Sequence, residues 1–126
     1  MKLTFLLTAL TAGTAFAAAE SDLEKCQKKD SHAVSAINTF CLNSNIVVPG
    51  NCATKGFHIG TGGPKDTTVY IVGNCSPGQW VPRDICVRQL MNMCATSPGG
   101  SHGDSAQNFG RNGCQQWFIN VKGAYK

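Results

Sequence analysis

The sequence predicts an α+β fold, a small disulfide-stapled two-layer sandwich with an antiparallel sheet and two helices on one face. Three observations predict it. Two segments space their apolar residues at three and four, the period of a helix with one buried side. Three others alternate apolar and polar residues between turn-forming clusters, as half-buried strands do. Seven cysteines all fall after the first 19 residues, and at that density in a small exported chain they form a disulfide framework.

Residues 1–19 read as a signal peptide. Lys2 is followed by the apolar run Leu3–Leu10, and Ala15-Phe16-Ala17 satisfies the small-x-small rule, with cleavage after Ala17 or Ala19. Thr8, Thr11, Gly13 and Thr14 interrupt the run, which falls short of the roughly 20 apolar residues of a bilayer span. The expected product is a single cysteine-rich secreted domain, residues 20–126, with no membrane span. Loss of Lys2 takes the net charge from +4 to one unit less. No basic run accompanies it, so no nucleic-acid partner is expected.

Residues 20–29 are polar apart from Leu23 and Cys26 and read as a leading arm tied down by Cys26. Asp30 or Ser31 stands at an N-cap position, ahead of Ala33, Val34, Ile37, Phe40 and Cys41 on one helical face. The helix should run from about Ser31 to Leu42. Ile46, Val47 and Val48 make a short strand entering the Pro49-Gly50 turn. Gly56–Gly60 and Thr67–Gly73 form a hairpin across the turn sequence TGGPKD. Phe57 and Ile59 then share a face with Val69 and Ile71, and His58 and Tyr70 lie on the other.

Pro82 and Asp84 suit the first turn of a second helix. Its inner face is Ile85, Cys86, Leu90, Met93 and Cys94, with Arg88, Gln89 and Asn92 outward. Residues 95–113 read as a long glycine- and serine-rich loop. The chain closes on the strand Gln115–Val121, with Trp117, Ile119 and Val121 inward.

Cys86 and Cys94 lie eight positions apart on one helix, about 12 Å at 1.5 Å per residue, and a disulfide needs under about 7 Å. They must bond elsewhere. The expected pairs are Cys94–Cys114, closing the loop, and Cys41–Cys86. Cys26 and Cys75 are expected to be bonded, with their partners open. Seven is odd, so one thiol is free or pairs between chains in a disulfide-linked dimer. Cys52, outside every predicted element, is the candidate; the alternative is that it pairs with Cys26 or Cys75. No cysteine or histidine spacing suits structural zinc, and neither metal nor cofactor is expected.

Gly99-Gly100-Ser101-His102-Gly103 matches G-x-S-x-G, but a nucleophile elbow needs a strand before it and a helix after it. Here a helix precedes it and polar residues follow. A small ribonuclease would need paired acid–base groups and a cation. His58 beside Tyr70, with Lys65 or Arg111, could be assembled into such a site, but nothing in the spacing requires it, and no catalytic residue is assigned. Ligand contacts are expected instead at His58 and Tyr70 on the hairpin face, at the loop aromatic Trp80, and at His102 and Asn108 in the glycine-rich loop. Exposed aromatic rings are surfaces on which sugars stack.

The helix SHAVSAINTFC running into IVVP, the C-x-x-x-L-x-x-M-C helix and the closing GCQQWFI together resemble small secreted cysteine-rich proteins of filamentous fungi. Many of these are effector candidates released against a host or competing microbes. Within that group the chain resembles the mushroom glycan-binding, lectin-like proteins and the smut-fungus killer toxins with their cellular relatives. The former end soon after a cysteine that follows their aromatic strand, whereas here no cysteine follows Trp117, and no binding residue is carried over. The resemblance implies virulence or antimicrobial roles and a binding function. The implied partner is an extracellular glycan or a host or competitor protein; the alternative is a toxin acting on channels or membranes.

Overall fold

Asp30 ends one helix and begins the next. In the computed structural model, which describes residues 20–123, α1 spans Asp22–Lys29 and α2 spans Ser31–Cys41. Asp30 is the C-cap of the first, and its carboxylate accepts from the His32 amide at 3.0 Å to cap the second. The leading arm expected over residues 20–29 is therefore a helix. Ser21 and Glu24 form a reciprocal capping box, with the Glu24 amide bonded to Ser21 Oγ at 3.1 Å and the Ser21 amide to Glu24 Oε1 at 3.2 Å. That amide, and then the Ser21 hydroxyl, hold the Glu24 carboxyl below its ordinary range. The signal peptide and its cleavage site lie outside the described residues.

The chain continues through β1 (Val47–Val48), a one-turn α3 (Asn51–Lys55), β2 (Phe57–Ile59), β3 (Thr67–Gly73), β4 (Gln79–Trp80), α4 (Arg83–Thr96), β5 (Ser105–Phe109), a 3-10 turn (Arg111–Gly113) and β6 (Gln115–Val121). The main sheet is antiparallel in the order β2-β3-β6-β5, and β1 pairs with β4 in a separate two-stranded ribbon. The α+β, disulfide-stapled class is as expected, with two helices more than the sequence suggested: α1, and α3 in what read as a turn.

The hairpin has the expected faces. Phe57 pairs with Val69 and His58 with Thr68, and the inward set Val69, Ile71, Trp117 and Ile119 is 1% exposed or less. These residues, with Ile37, Leu90 and Met93 from the helices, make one continuous core. α2 packs on β2 and β3, α4 on α2 and the β5–β6 side, and α1 lies over α4 and α2.

The long loop expected over residues 95–113 is shorter than that. α4 runs on to Thr96, a turn of residues 97–104 follows, and the chain then enters β5. Ser105, Gln107 and Phe109 alternate with Ala106 and Asn108 too weakly in polarity to advertise a strand. Pairing with β6 makes it one. The turn is pinned by Gly103, whose φ of +92° suits glycine and whose absent Cβ would stand 2.8 Å from Cys94 Sγ.

The cysteines follow this packing. Cys94 bonds Cys26, Cys41 bonds Cys86, and Cys75 bonds Cys114, leaving Cys52 free and exposed on α3. The expected Cys94–Cys114 bond does not form, because α1 lies over α4 and brings Cys26 to Cys94. Cys114 precedes Gln115, which pairs with Gly73 at the end of β3. Cys75, two residues beyond Gly73, is thereby its neighbour. α4 is thus bolted to both other long helices. Among the described residues no helix is long and apolar enough to cross a membrane.

Candidate functional site

Gln79 and Trp80 pair with Val48 and Val47, and the Val81 amide bonds the Ile46 carbonyl at 2.9 Å. This fixes a segment that reads as loop from the sequence alone. The Trp80 indole donates its Nε1–H to the Ser44 carbonyl at 2.8 Å, so the ring is held in one orientation while remaining 61% exposed. Beside it opens a pocket of about 290 Å³, at the small end of the range for ligand sites. Its apolar walls are Trp80, Pro82, Ile85 and Phe109, with the edge of Trp117 behind, and its polar groups come from Gln79, Gln89 and Gln115. No lining residue carries a charge.

A chain of amides builds the floor. Trp117 Nε1 donates to Gln115 Oε1 at 2.8 Å, Gln115 Nε2 donates to Gln79 Oε1 at 3.0 Å, and the Arg111 amide reaches the same oxygen at 3.3 Å. Gln115 is thereby spent within the protein, since both ends of its amide are bonded. The Gln79 amide nitrogen and the whole Gln89 amide have no partner among the described residues. A neutral hydroxyl-bearing molecule would find a flat aromatic face, two amides able to donate, and no charge to desolvate.

Of the residues expected to meet a ligand, only Trp80 lies at this pocket. His58, Tyr70 and Asn108 share the outer face of the main sheet without forming one site: His58 lies on edge strand β2, level with Thr68 and Asn120, Tyr70 faces Phe118, and Asn108 lies on the opposite edge strand level with Gln116. Tyr70 stacks on Phe118 with ring centroids 4.9 Å apart, and its hydroxyl accepts from Asn120 Nδ2 at 3.1 Å. His58 Nδ1 is bonded to Thr68 Oγ1 at 2.7 Å. Asn108 lies on strand β5 rather than in a loop.

His102 stands apart in the turn after α4, with φ +55°. Ser101 beside it is buried and donates to the Pro98 carbonyl, so the G-x-S-x-G match has neither the strand nor the exposed hydroxyl of an elbow. His58 does share a polar hollow with Asp66, Asp104 and Lys122. Those groups hold the sheet end together: Asp66 accepts from the Gly62 amide, Asp104 from the Val121 amide, and Lys122 donates to the Gly62 carbonyl. No cluster of metal-ligating side chains occurs among the described residues.

Sequence reasoning missed the glutamines and Phe109. Gln89 stands on the outer side of its helix, which is where the pocket opens. Glutamine is common on surfaces, and nothing in its spacing links residues 79, 89 and 115. Set against protein-family models, curated proteins and solved structures, the chain matches none of them.

Proposed function

We propose that this protein is a secreted binding protein, effector-like in character, that captures an uncharged extracellular glycan in the pocket beside Trp80. The observation that carries the reading is the oriented, exposed Trp80 ring over a charge-free hollow, with the Gln79 amide nitrogen and the Gln89 amide unpartnered among the described residues. Sugars present an apolar C–H face and a rim of hydroxyls; a fixed indole meets the first and amides the second. Three disulfides fit an oxidising, extracellular setting, and the resemblance to secreted fungal glycan-binding proteins points the same way.

The test is retention of the mature chain on chitin and on an array of neutral glycans. Binding is expected, is lost in Trp80→Ala, and survives Tyr70→Ala on the separate sheet face. A wild-type chain that binds no glycan, or one that binds as well without Trp80, overturns the reading.

A further inference from the structure

The four-stranded sheet ends at β5, and the direction of every backbone group along that strand follows from its neighbour. The Val121 amide donates to Asp104 Oδ2 at 2.8 Å and so faces the β5 side. Lys122, one residue on, faces β3: its amide donates to the Asp66 carbonyl at 2.9 Å and its carbonyl accepts from the Lys65 amide at 3.0 Å. In antiparallel strands successive residues bond to alternate neighbours. Gln115, Trp117 and Ile119 therefore bond β5, and Gln116, Phe118 and Asn120 bond β3.

Through the register Ser105↔Ile119, Gln107↔Trp117 and Phe109↔Gln115, those three β5 residues direct their backbone groups to β6. Ala106 and Asn108 turn theirs outward, and no described residue receives them.

Native proteins commonly guard such an edge with lysine, proline or a bulge. Ser105–Phe109 has no charged residue and no proline, its pairing with β6 is regular, and Ala106, Gln107 and Asn108 are all exposed. The opposite edge is smaller. In β2 the same alternation commits Phe57 and Ile59 to β3 and leaves only His58 outward.

We propose that a second copy of this chain pairs along β5, antiparallel about a two-fold axis at Gln107, so that one sheet runs through both molecules. A second copy is chosen because the open part of the strand is complementary to itself. A two-fold axis perpendicular to a sheet keeps each residue on its own face, so a strand can meet its copy only in registers that preserve face. Centring on Gln107 sets Ala106 against Asn108 of the second copy, and Asn108 against Ala106. These are the two residues with outward groups, and each facing pair exchanges both of its hydrogen bonds. Small Ala106 leaves room for the Asn108 side chain, and the two Gln107 amides meet at the axis, each able to donate to the other. A foreign peptide would gain the backbone bonds but not that matched set of side chains.

The pairing also bears on binding. Phe109 and Gly110, at the end of β5, line the Trp80 pocket, so the two pockets lie at opposite ends of the joined strands. That bivalency rests on the glycan reading, whereas the pairing does not.

The experiment is amide hydrogen exchange by NMR on the mature chain at low and high protein concentration, alongside sedimentation. At high concentration the Ala106 and Asn108 amides are expected to slow at least tenfold. Ser105, Gln107 and Phe109 are expected to be protected at both concentrations, and the mass rises toward that of two chains. Ala106→Pro removes an outward donor without touching the β6 ladder and abolishes the effect. Gln107→Lys, which sets like charges face to face across the axis, does the same should the proline variant fail to fold. Cys52→Ser leaves it intact. The proposal is overturned by a monomer mass with unchanged exchange at Ala106 and Asn108. Association that survives both edge variants, or that disappears in Cys52→Ser, also overturns it. A foreign peptide seated on β5 with no self-association overturns the choice of occupant. Loss of glycan binding in Trp80→Ala with pairing unchanged separates the two readings.

Discussion

The Thr67 hydroxyl donates to the Asp30 carboxylate at 2.6 Å, joining the junction between two helices to the first residue of the central strand β3. Both residues are buried, Asp30 at 2% exposure and Thr67 at 0%. Replacing Thr67 by valine keeps the shape and removes the donor, leaving a buried carboxylate one partner short. The expected loss is about 1–3 kcal/mol, read as a lower urea midpoint with the disulfides intact. Asp30→Ala is expected to cost more, because the cap of α2 is lost as well.

Peptide mapping without reduction should recover Cys26–Cys94, Cys41–Cys86 and Cys75–Cys114, with Cys52 alkylated in the native protein. A Cys94–Cys114 peptide would contradict the packing of α1 on α4. Replacing Cys26 and Cys94 together by serine opens the bond of longest sequence separation, 68 residues. The chain-entropy model puts such a closure at roughly 4 kcal/mol when taken alone. Thermal melting of the double variant against the parent measures it.

The two tryptophans should be separable by fluorescence. Trp80 is 61% exposed and Trp117 is 1% exposed, so iodide should quench one indole and spare the other. In Trp80→Ala the remaining emission is blue-shifted and unquenched. A glycan that occupies the pocket should shield the accessible fraction in the wild type.

Gly103 sits at φ +92°, and a Cβ there would stand 2.8 Å from the sulfur of Cys94. Gly103→Ala is expected to destabilise the chain by about 1–3 kcal/mol through backbone strain and crowding of the disulfide. Gly99→Ala, in open space four residues earlier, should cost far less. Equal midpoints for the two variants would refute this.

By itself the sequence determined what repeats along the chain. The spacing of Ile37, Phe40 and Cys41, the alternation through Val69 and Ile71, and the turn between them are local signals. Each reports which side of an element leaves water, so the α+β class and the core faces could be read directly. The Ser21–Glu24 capping box was equally local, and marks a helix in a stretch whose polarity suggested an arm.

What only the tertiary structure decided was every pairing between distant residues. β5 is a strand because β6 lies beside it, Cys94 finds Cys26 because α1 crosses α4, and the glutamines at 79, 89 and 115 share one hollow because three elements meet there. Hydrogen bonds and disulfides are satisfied by whatever the packing of the apolar faces brings near. Polar residues with no period of their own carry no record of that meeting in the order of the chain.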